Sequence, residues 1–152
     1  MPIEKTLILI KPDGMKRRLA GLAIDRLDNA GFELIGAKVV PVTDALAREH
    51  YALLKKEPYF EKAVSFIRGD YHDVSNHRVL ALVYRGENAI KGVRAVVGAT
   101  SPEDAAPGTI RNAFGRINSK EGYFENVVHA SGNLAEAERE IKIWFKPGEL
   151  VE

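Results

Sequence analysis

Cysteine is absent from the 152-residue sequence. Its absence excludes a disulfide framework, a cysteine-ligated zinc ion and catalysis by a thiolate. The first residues enter a strand-like run at once, with no basic segment, apolar core and small-residue cleavage site of the kind that marks a secretory leader. We therefore expect a protein that works inside the cell, in the cytoplasm.

Long apolar runs and a charge of one sign are missing as well. No stretch approaches the roughly 20 apolar residues of a membrane-spanning helix, so no membrane association is expected. Lysine and arginine total 22 against 21 aspartate and glutamate residues, which leaves a net charge of +1. A nucleic-acid-binding regulator is disfavoured, because the sequence has no global basic field and no stripe of aromatic and basic residues.

The glycine-rich loops that commonly bind phosphate are also absent. The sequence contains no G-x-x-x-x-G-K-[ST] motif and no G-x-G-x-x-G after a strand. A Walker loop and a dinucleotide-binding turn are thereby excluded. If the protein binds phosphate, side chains must supply the contacts.

What the sequence does contain is the composition of a packed globular protein. Apolar residues make up 45% and charged residues 28%, far from the composition of disordered chains. A chain of this length is typical of one domain with one core. We expect a single domain over residues 1–152.

Hydrophobic patterns predict strands that alternate with helices. The predicted strands are residues 6–10, 32–42, 78–84 and 126–128, and the predicted helices are residues 20–30, 44–57, 60–67, 89–97 and a last helix with Leu134, Ala137, Ile141 and Trp144 on its core face and Asn133 or Ser131 as N-cap. A turn is expected at 11–14, loops at 69–77 and 98–109, and irregular structure at 114–122. This order predicts an α/β (α+β) fold, a ferredoxin-like sandwich in which helices cover an antiparallel sheet of about four strands.

Three cationic side chains stand beside the predicted turns and loops. Lys11 follows the first strand, Arg94 lies in the helix before the long loop, and Arg111 follows that loop in the segment Pro-Gly-Thr-Ile-Arg. Arginine offers a fork of donors that matches phosphate oxygens, and lysine offers a compact charge. Each of the three is also compatible with an ordinary solvated surface charge.

His129 lies between a β-branched run and the small polar residues that start the last helix. A half-buried histidine bonded to a backbone carbonyl is the commonest explanation for such a residue. However, Glu140 and Glu136 follow in the helix, and a carboxylate there would fix the imidazole tautomer. A histidine oriented in this way is a candidate nucleophile for phosphoryl transfer. His72 and His77 in a polar loop and His50 within a helix are weaker candidates, and a histidine-rich metal site there is poorly supported.

Taken together, several segments resemble the nucleoside diphosphate kinase family, in that family's order. These segments are Lys11-Pro12-Asp13-Gly14, Glu49-His50-Tyr51, Gly98-Ala99-Thr100, Pro107-Gly108-Thr109-Ile110-Arg111 and Asn126-Val127-Val128-His129-Ala130-Ser131. The resemblance covers nearly the whole chain. It implies transfer of the γ-phosphate of a nucleoside triphosphate to a nucleoside diphosphate, in two steps, through a phosphohistidine.

The resemblance also implies roles for individual residues. His129 would be the nucleophile, Glu140 would orient its imidazole and Ser131 would bond near it. Lys11 and Arg111 would meet the phosphates, and Arg94 and Thr100 would lie on the β-phosphate side. The remaining nucleotide contacts would be Tyr51 in the wall of the site, Asn126 near the sugar and Lys11, and Tyr59 stacked on the base in place of the family's usual phenylalanine.

The resemblance further implies a cofactor and a partner. Magnesium would enter with the nucleotide phosphates and would not be held by a protein cage. The chain would form a homo-oligomer, a hexamer in the first place and a tetramer or dimer otherwise.

The sequence departs from the family pattern in three places. Gly132 and Asn133 stand where the family commonly has aspartate after His-x-Ser, extra residues occur at 70–77 and at 117–123, and the chain stops at Glu152 without a longer tail. The alternative function is therefore a catalytically weak nucleotide-binding or scaffold protein on the same fold, with Gly132 as the lesion.

Overall fold

The computed structural model describes residues 2–72, 77–118 and 123–152. Within these residues the strands are β1 (Ile3–Ile10), β2 (Glu33–Pro41), β3 (Arg78–Glu87), β4 (Arg116–Asn118), β5 (Tyr123–Glu125) and β6 (Val128–Ala130). The α-helices are α1 (Pro12–Lys16), α2 (Ala20–Asn29), α3 (Asp44–His50), α4 (Phe60–Arg68), α5 (Ala89–Val97), α6 (Ile110–Phe114) and α7 (Leu134–Trp144), and short 3-10 helices lie at Ala52–Leu54 and Pro147–Glu149.

Four of the strands form one antiparallel sheet in the order β2-β3-β1-β6. In this order β3 lies between β1 and β2, and β1 lies between β3 and β6. The helical connections from β1 to β2 and from β3 to β6 therefore join strands that are not neighbours, whereas β2 and β3, which are connected through α3 and α4, pair directly. This is the ferredoxin-like arrangement that the sequence pattern predicts. Strands β4 and β5 pair separately as a small antiparallel ribbon.

The central strand β1 is buried on both faces because apolar residues occupy both sides of its pleat. Leu7 and Leu9 pack in a core with side chains of α3, α4 and α7. Ile8 and Ile10 pack in a second core with side chains of α2 and α5. The sheet therefore lies between two layers of helices. The last two residues of β1, Leu9 and Ile10, belong one to each core.

Most of the predicted elements are confirmed, but several differ in their bounds. Residues 11–14 are not an isolated turn, because Pro12 begins α1 at the first helical position, where its missing N–H costs nothing. Helix α3 begins as predicted after Thr43, whose side chain accepts from the Leu46 amide, but it ends at His50, well before Pro58.

The segment around the nucleophile candidate differs more. The last strand is Val128–Ala130, two residues later than predicted, so His129 lies within the strand and not after it. The predicted irregular stretch contains the last residue of α6 and the strand β4, and the strand β5 follows directly after it. Asn133 is the N-cap of α7, but Leu134 is 50% exposed and does not belong to the core.

Parts of the two predicted insertions lie outside the described residues, namely 73–76 in the first and 119–122 in the second. In the part of the chain that the structure describes, no helix is both long enough and apolar enough to cross a bilayer.

Candidate active site

The imidazole of His129 is fixed by a carboxylate from the following helix. Nε2–H of His129 donates to Oε1 of Glu140 at 2.9 Å. The Ser131 hydroxyl donates to the same oxygen at 2.7 Å, and it accepts from the Leu7 amide at 3.2 Å. This network assigns the proton of His129 to Nε2. The lone pair therefore lies on Nδ1, which is the nitrogen that can attack an electrophile.

Glu140 carries its negative charge at neutral pH. Burial in the interior favours the neutral carboxyl, but the hydrogen bonds from His129 and Ser131 and the charge of Arg139 hold the pKa of Glu140 below its usual range. An ionised carboxylate beside the imidazole stabilises the positive charge that develops when Nδ1 forms a bond.

His50 is part of the same cluster, although from the sequence it was only a weaker candidate. Its ring is perpendicular to that of His129, with the centroids 4.6 Å apart. Nε1–H of Trp144 donates to Nδ1 of His50 at 3.1 Å. Burial, followed by the charges of His129, Arg139 and Lys11, lowers the pKa of His50 well below its ordinary value, so this second imidazole is neutral. The sequence signal that could have identified His50 is the segment Glu49-His50-Tyr51, which is one of the segments that carry the family resemblance.

The three side chains His50, His129 and Glu140 could suggest a metal site, because their ligand atoms lie within 4.8 Å of one another. The hydrogen bonds argue against it. Since Nδ1 of His50 accepts from Trp144, a neutral His50 carries its proton on Nε2 and has no lone pair left for a metal. Oε1 of Glu140 is already shared by two donors. The cluster suits proton and phosphoryl chemistry better than metal binding.

Of the loop histidines, His72 bonds to the Glu125 carboxylate at 2.6 Å and His77 to the Arg68 carbonyl at 2.8 Å. They do not converge with each other on a metal site, and neither belongs to the His129 cluster.

Lys11 lies beside the start of the strand that carries His129, because its amide donates to the Val127 carbonyl at 2.9 Å. It caps α1, and its Nζ donates to Oδ1 of Asn126 at 2.8 Å, while the Asn126 amide donates to the Thr100 carbonyl at 3.0 Å. Burial lowers the pKa of Lys11 to about 8, with Asp13 raising it and Arg111 lowering it further. Lys11 is therefore charged around neutral pH but close to its titration.

The two arginines hold the backbone on either side of His129. The Arg111 guanidinium donates to the Val128 carbonyl at 2.7 Å and to the Gly98 carbonyl at 3.0 Å. Arg94 donates to the Ala130 carbonyl at 3.3 Å. Burial and then the charge of Arg94 lower the pKa of Arg111 to about 10, so Arg111 remains a cation at neutral pH. His129 thus lies in a strand whose backbone is held by two arginine side chains.

A cavity of about 480 Å³ opens beside Lys11. Its described lining residues are Lys11, Tyr51, Leu54, Tyr59, Lys62, Ala63, Phe66, Thr100, Phe124 and Asn126. Tyr59 and Phe124, which are 49% and 42% exposed, present aromatic rings at its surface. Burial raises the pKa of the Tyr51 phenol, so this wall residue is a neutral hydroxyl. Aromatic walls with a cation at one end suit a flat base joined to an anionic group.

The structure brings every predicted site residue to this region. His129, Glu140 and Ser131 form one network, Lys11, Asn126 and Thr100 form a second, and Arg94 and Arg111 bind the strand between them. Tyr51 and Tyr59 line the cavity. The sequence assigned no role in the site to His50, Trp144, Phe124 or Asp13, because their positions depend on tertiary contacts.

The backbone and the space at Gly132 are occupied by contacts with the side chain of Glu136. Its amide donates to Oε2 of Glu136 at 3.0 Å, and Asn133 accepts from the Glu136 amide at 2.9 Å. The side chain of Glu136 therefore occupies the space beside Gly132, where a Cβ would meet Oε2 at 2.5 Å. A carboxylate is present next to this position, although residue 132 itself has none.

Known proteins resemble the chain over nearly its full length. A profile of the family described as nucleoside diphosphate kinase matches residues 4–150. The nucleoside diphosphate kinase of Bacillus cereus is 41% identical over 150 residues, which cover 99% of this chain and 93% of the relative.

Solved structures agree with this similarity. A transition-state mimic of the nucleoside diphosphate kinase of Borrelia burgdorferi, with bound vanadate and ADP, superposes with a TM-score of 0.87 at 36% identity and covers 99% of this chain and 91% of that one. The enzyme of Halobacterium salinarum in complex with CDP gives a TM-score of 0.85 at 37% identity, with 99% and 93% covered. The chain belongs to the nucleoside diphosphate kinase family.

Proposed function

We propose that this nucleoside-diphosphate kinase carries the phosphoryl group on Nδ1 of His129. In the first step Nδ1 attacks the γ-phosphorus of a nucleoside triphosphate, the bond to the bridging oxygen breaks, and a nucleoside diphosphate leaves. In the second step a β-phosphate oxygen of another nucleoside diphosphate attacks the phosphohistidine, and Nδ1 leaves with its electron pair. The observation that carries this proposal is the bond between Nε2 and Glu140, which leaves Nδ1 as the nucleophile.

Glu140 and Ser131 would act on the nucleophile rather than on the nucleotide. When Nδ1 forms its bond to phosphorus, the imidazole becomes cationic while Nε2 keeps its proton. The carboxylate of Glu140 stabilises that cation and keeps the ring from rotating, and Ser131 holds the carboxylate in place.

The cations would bind the phosphates. Lys11 and Arg111 would neutralise the transferring group, and Arg94 and Thr100 would lie on the β-phosphate side. The burial of Arg111 and the partial burial of Lys11 support the assignment of these two residues, because charges in a site shielded from water act more strongly than exposed ones. Asn126 would hold Lys11 and the sugar.

The cavity would receive the nucleoside. Tyr59 would stack on the base, and Tyr51 would form part of the wall. Stacking on an aromatic ring tolerates any base, since every base has a π-face. This supports broad base specificity.

Magnesium would arrive with the nucleotide. The described residues that line the cavity carry no carboxylate, whereas protein sites for this ion are built from carboxylates and other oxygen ligands. The ion would neutralise phosphate charge as part of the bound nucleotide, and we assign it no protein ligands.

We also propose that residues 1–152 form a single domain, that the protein is cytoplasmic, and that it assembles into a homo-oligomer, a hexamer in the first place. Strand β2 lies at one edge of the sheet, and Leu34 and Val39 on it are 40% and 57% exposed. An apolar edge of this kind supports assembly, and sedimentation of the purified protein measures the state.

The alternative of a catalytically weak scaffold is not supported by the family membership. The test is incubation of the protein with γ-labelled ATP and magnesium, without an acceptor. We expect acid-labile label on His129 that leaves when a nucleoside diphosphate is added. His129→Ala should bind nucleotide and take up no label. Label elsewhere, or turnover by His129→Ala, would overturn the assignment.

A further inference from the structure

We infer that Asp13 is a positioning residue of this active site, which anchors the strained backbone before His129 from the start of α1, the same segment that carries Lys11. The inference rests on the proposed function, since it concerns the residues that would carry and bind the phosphoryl group. Asp13 would not touch the nucleotide itself. It is a fully buried carboxylate in α1 to which none of the roles above is assigned.

The anchor consists of two hydrogen bonds to one residue. The Val127 amide donates to Oδ2 of Asp13 at 2.9 Å, and the Lys11 amide donates to the Val127 carbonyl at 2.9 Å. Both backbone polar groups of Val127 are therefore held by the segment that starts α1. The approach is close, because a Cβ added at Gly14 would meet the Val127 carbonyl oxygen at 2.9 Å.

Val127 requires such restraint because its backbone is strained. Its φ is +71°, in the left-handed region that β-branched residues rarely adopt. Strained backbone of this kind persists only where the surroundings hold it, and it is concentrated at functional sites. Val127 lies immediately before β6 and two residues before His129, so the anchor fixes the direction in which the nucleophile strand begins.

The second part of the inference concerns charge. The Asp13 charge acts on Lys11 from α1 and favours its protonated form, and the Arg111 charge acts on it from α6 and opposes that form. On the side of α3, His50 and Tyr51 are uncharged, and Lys62 of α4 lines the same cavity. Among these groups Asp13 supplies the negative charge. Its other oxygen, Oδ1, has no hydrogen-bond partner among the described residues, so it acts on its neighbours through charge alone.

Two substitutions separate the anchor from the charge. Asp13→Asn keeps an oxygen that can accept from the Val127 amide but removes the negative charge, whereas Asp13→Ala removes both. Asp25→Asn is the matched control, because it removes the same charge from an exposed position of α2. For each protein, the rate of His129 labelling by γ-labelled ATP is measured in single turnover, at low nucleotide concentration, between about pH 6 and 9.5.

For Asp13→Asn we expect labelling near the wild-type rate at the acid end and an earlier loss as the pH rises. The pKa of Lys11 is about 8 with the Asp13 charge in place. Loss of that charge should lower the pKa of Lys11, and with it the alkaline midpoint of the labelling profile, by about one pH unit or more. Asp13→Ala should show the same shift and, in addition, label at least about tenfold more slowly at every pH, because the strand carrying His129 is no longer held.

The results that overturn the inference are distinct from a failure of the proposed function. If the wild-type protein takes up no label on His129, the proposed function fails. If it does, an Asp13→Asn profile that superimposes on wild type and Asp25→Asn disproves the role of the charge. Equal acid-end rates for Asp13→Asn and Asp13→Ala disprove the anchor. If Asp13→Ala does not fold, hydrogen exchange decides, and rapid exchange of the wild-type Val127 amide would disprove the anchor.

Discussion

The imidazole rings of His50 and His129 meet nearly at a right angle, with their centroids 4.6 Å apart and an interplanar angle of 82°. One ring belongs to the end of α3 and the other to β6, so the contact joins the helical layer to the sheet edge. His50 in turn is fixed by Trp144 of α7. The nucleophile is therefore held from two sides, by Glu140 through a hydrogen bond and by His50 through ring packing.

We predict that His50→Ala lowers kcat about tenfold and changes KM by less than about twofold. His50 does not line the nucleotide cavity, so its loss should free the ring of His129 without removing a nucleotide contact. The substitution also leaves the buried Trp144 N–H without its acceptor, which should lower the free energy of unfolding by about 1–3 kcal/mol.

Steady-state kinetics and thermal unfolding measure the two effects of His50→Ala. His77→Ala is the control, because the His77 side chain is exposed and, within the described residues, contacts the Arg68 carbonyl and the Asp70 carboxylate. An unchanged kcat in His50→Ala would show that Glu140 alone is enough to position the nucleophile.

Glu140 should make the protein sensitive to acid. Its pKa is lowered in the folded state, so the folded protein holds the ionised form more strongly than the unfolded chain does. The resulting stabilisation is complete above the unfolded pKa, at about 4.3, and it is lost as the pH falls through the lower folded pKa. Glu140→Gln should remove this part of the pH dependence.

At neutral pH we expect Glu140→Gln to lower the free energy of unfolding by about 1–3 kcal/mol, the range for hydrogen bonds to charged groups. The phosphorylation rate of His129 should fall by about 10²-fold, because the cationic imidazole loses its counter-charge. Urea unfolding between pH 3 and 7 and single-turnover labelling test both. If the stability difference from wild type were the same at pH 3 and 7, the acid sensitivity would have another source.

Elements with a strong local pattern could be predicted from the sequence. The apolar runs of β1 and β3 and the helical spacing of α5 each specify their element, and tertiary contacts lengthen β1 and β3 by a few residues. Helix α6 and the ribbon of β4 and β5 were missed, since elements of three to five residues depend on their surroundings more than on their own propensity.

The start of β6 could not be predicted from the sequence for a different reason. Val127 and Val128 have the composition of a strand, but the left-handed backbone of Val127 delays the strand to Val128–Ala130. That conformation depends on Asp13, which is 114 residues away in sequence. The residues of the family motifs lie close together in the structure, and the roles predicted for them stay predictions. His50 and Asp13 stand in those motifs too, but the roles proposed for them rest on the packing and the hydrogen bonds.

Arg111 is expected to serve both the nucleotide and the backbone. Arg111→Ala should raise KM and slow phosphorylation of His129 by about 10²-fold, because it removes a buried phosphate-binding cation. It should also reduce stability, since the Gly98 and Val128 carbonyls lose their donors.

Arg111→Lys separates the two contributions, as lysine restores the charge without the fork of donors. We expect a partial recovery of KM and little recovery of stability. Arg85→Ala, which breaks a surface ion pair with Glu33, is the control for loss of one arginine. Unchanged nucleotide binding and labelling in Arg111→Ala would remove this residue from the phosphate site.

The space beside Gly132 is occupied by the Glu136 carboxylate, which is the end of a flexible side chain, so an aspartate at residue 132 should carry only a small cost in this chain. In Gly132→Asp the Glu136 side chain must shift, and two carboxylates are brought together at the start of α7. We expect the free energy of unfolding to fall by at most about 0.5 kcal/mol. Glu136→Gln should reduce that penalty, and a double-mutant cycle measures the coupling.

His129 labelling by Gly132→Asp should stay within about twofold of wild type, because the network of His129, Ser131 and Glu140 does not include residue 132. A large gain in labelling by Gly132→Asp would instead show that the nucleophile needs a carboxylate at this position, which Glu136 does not replace.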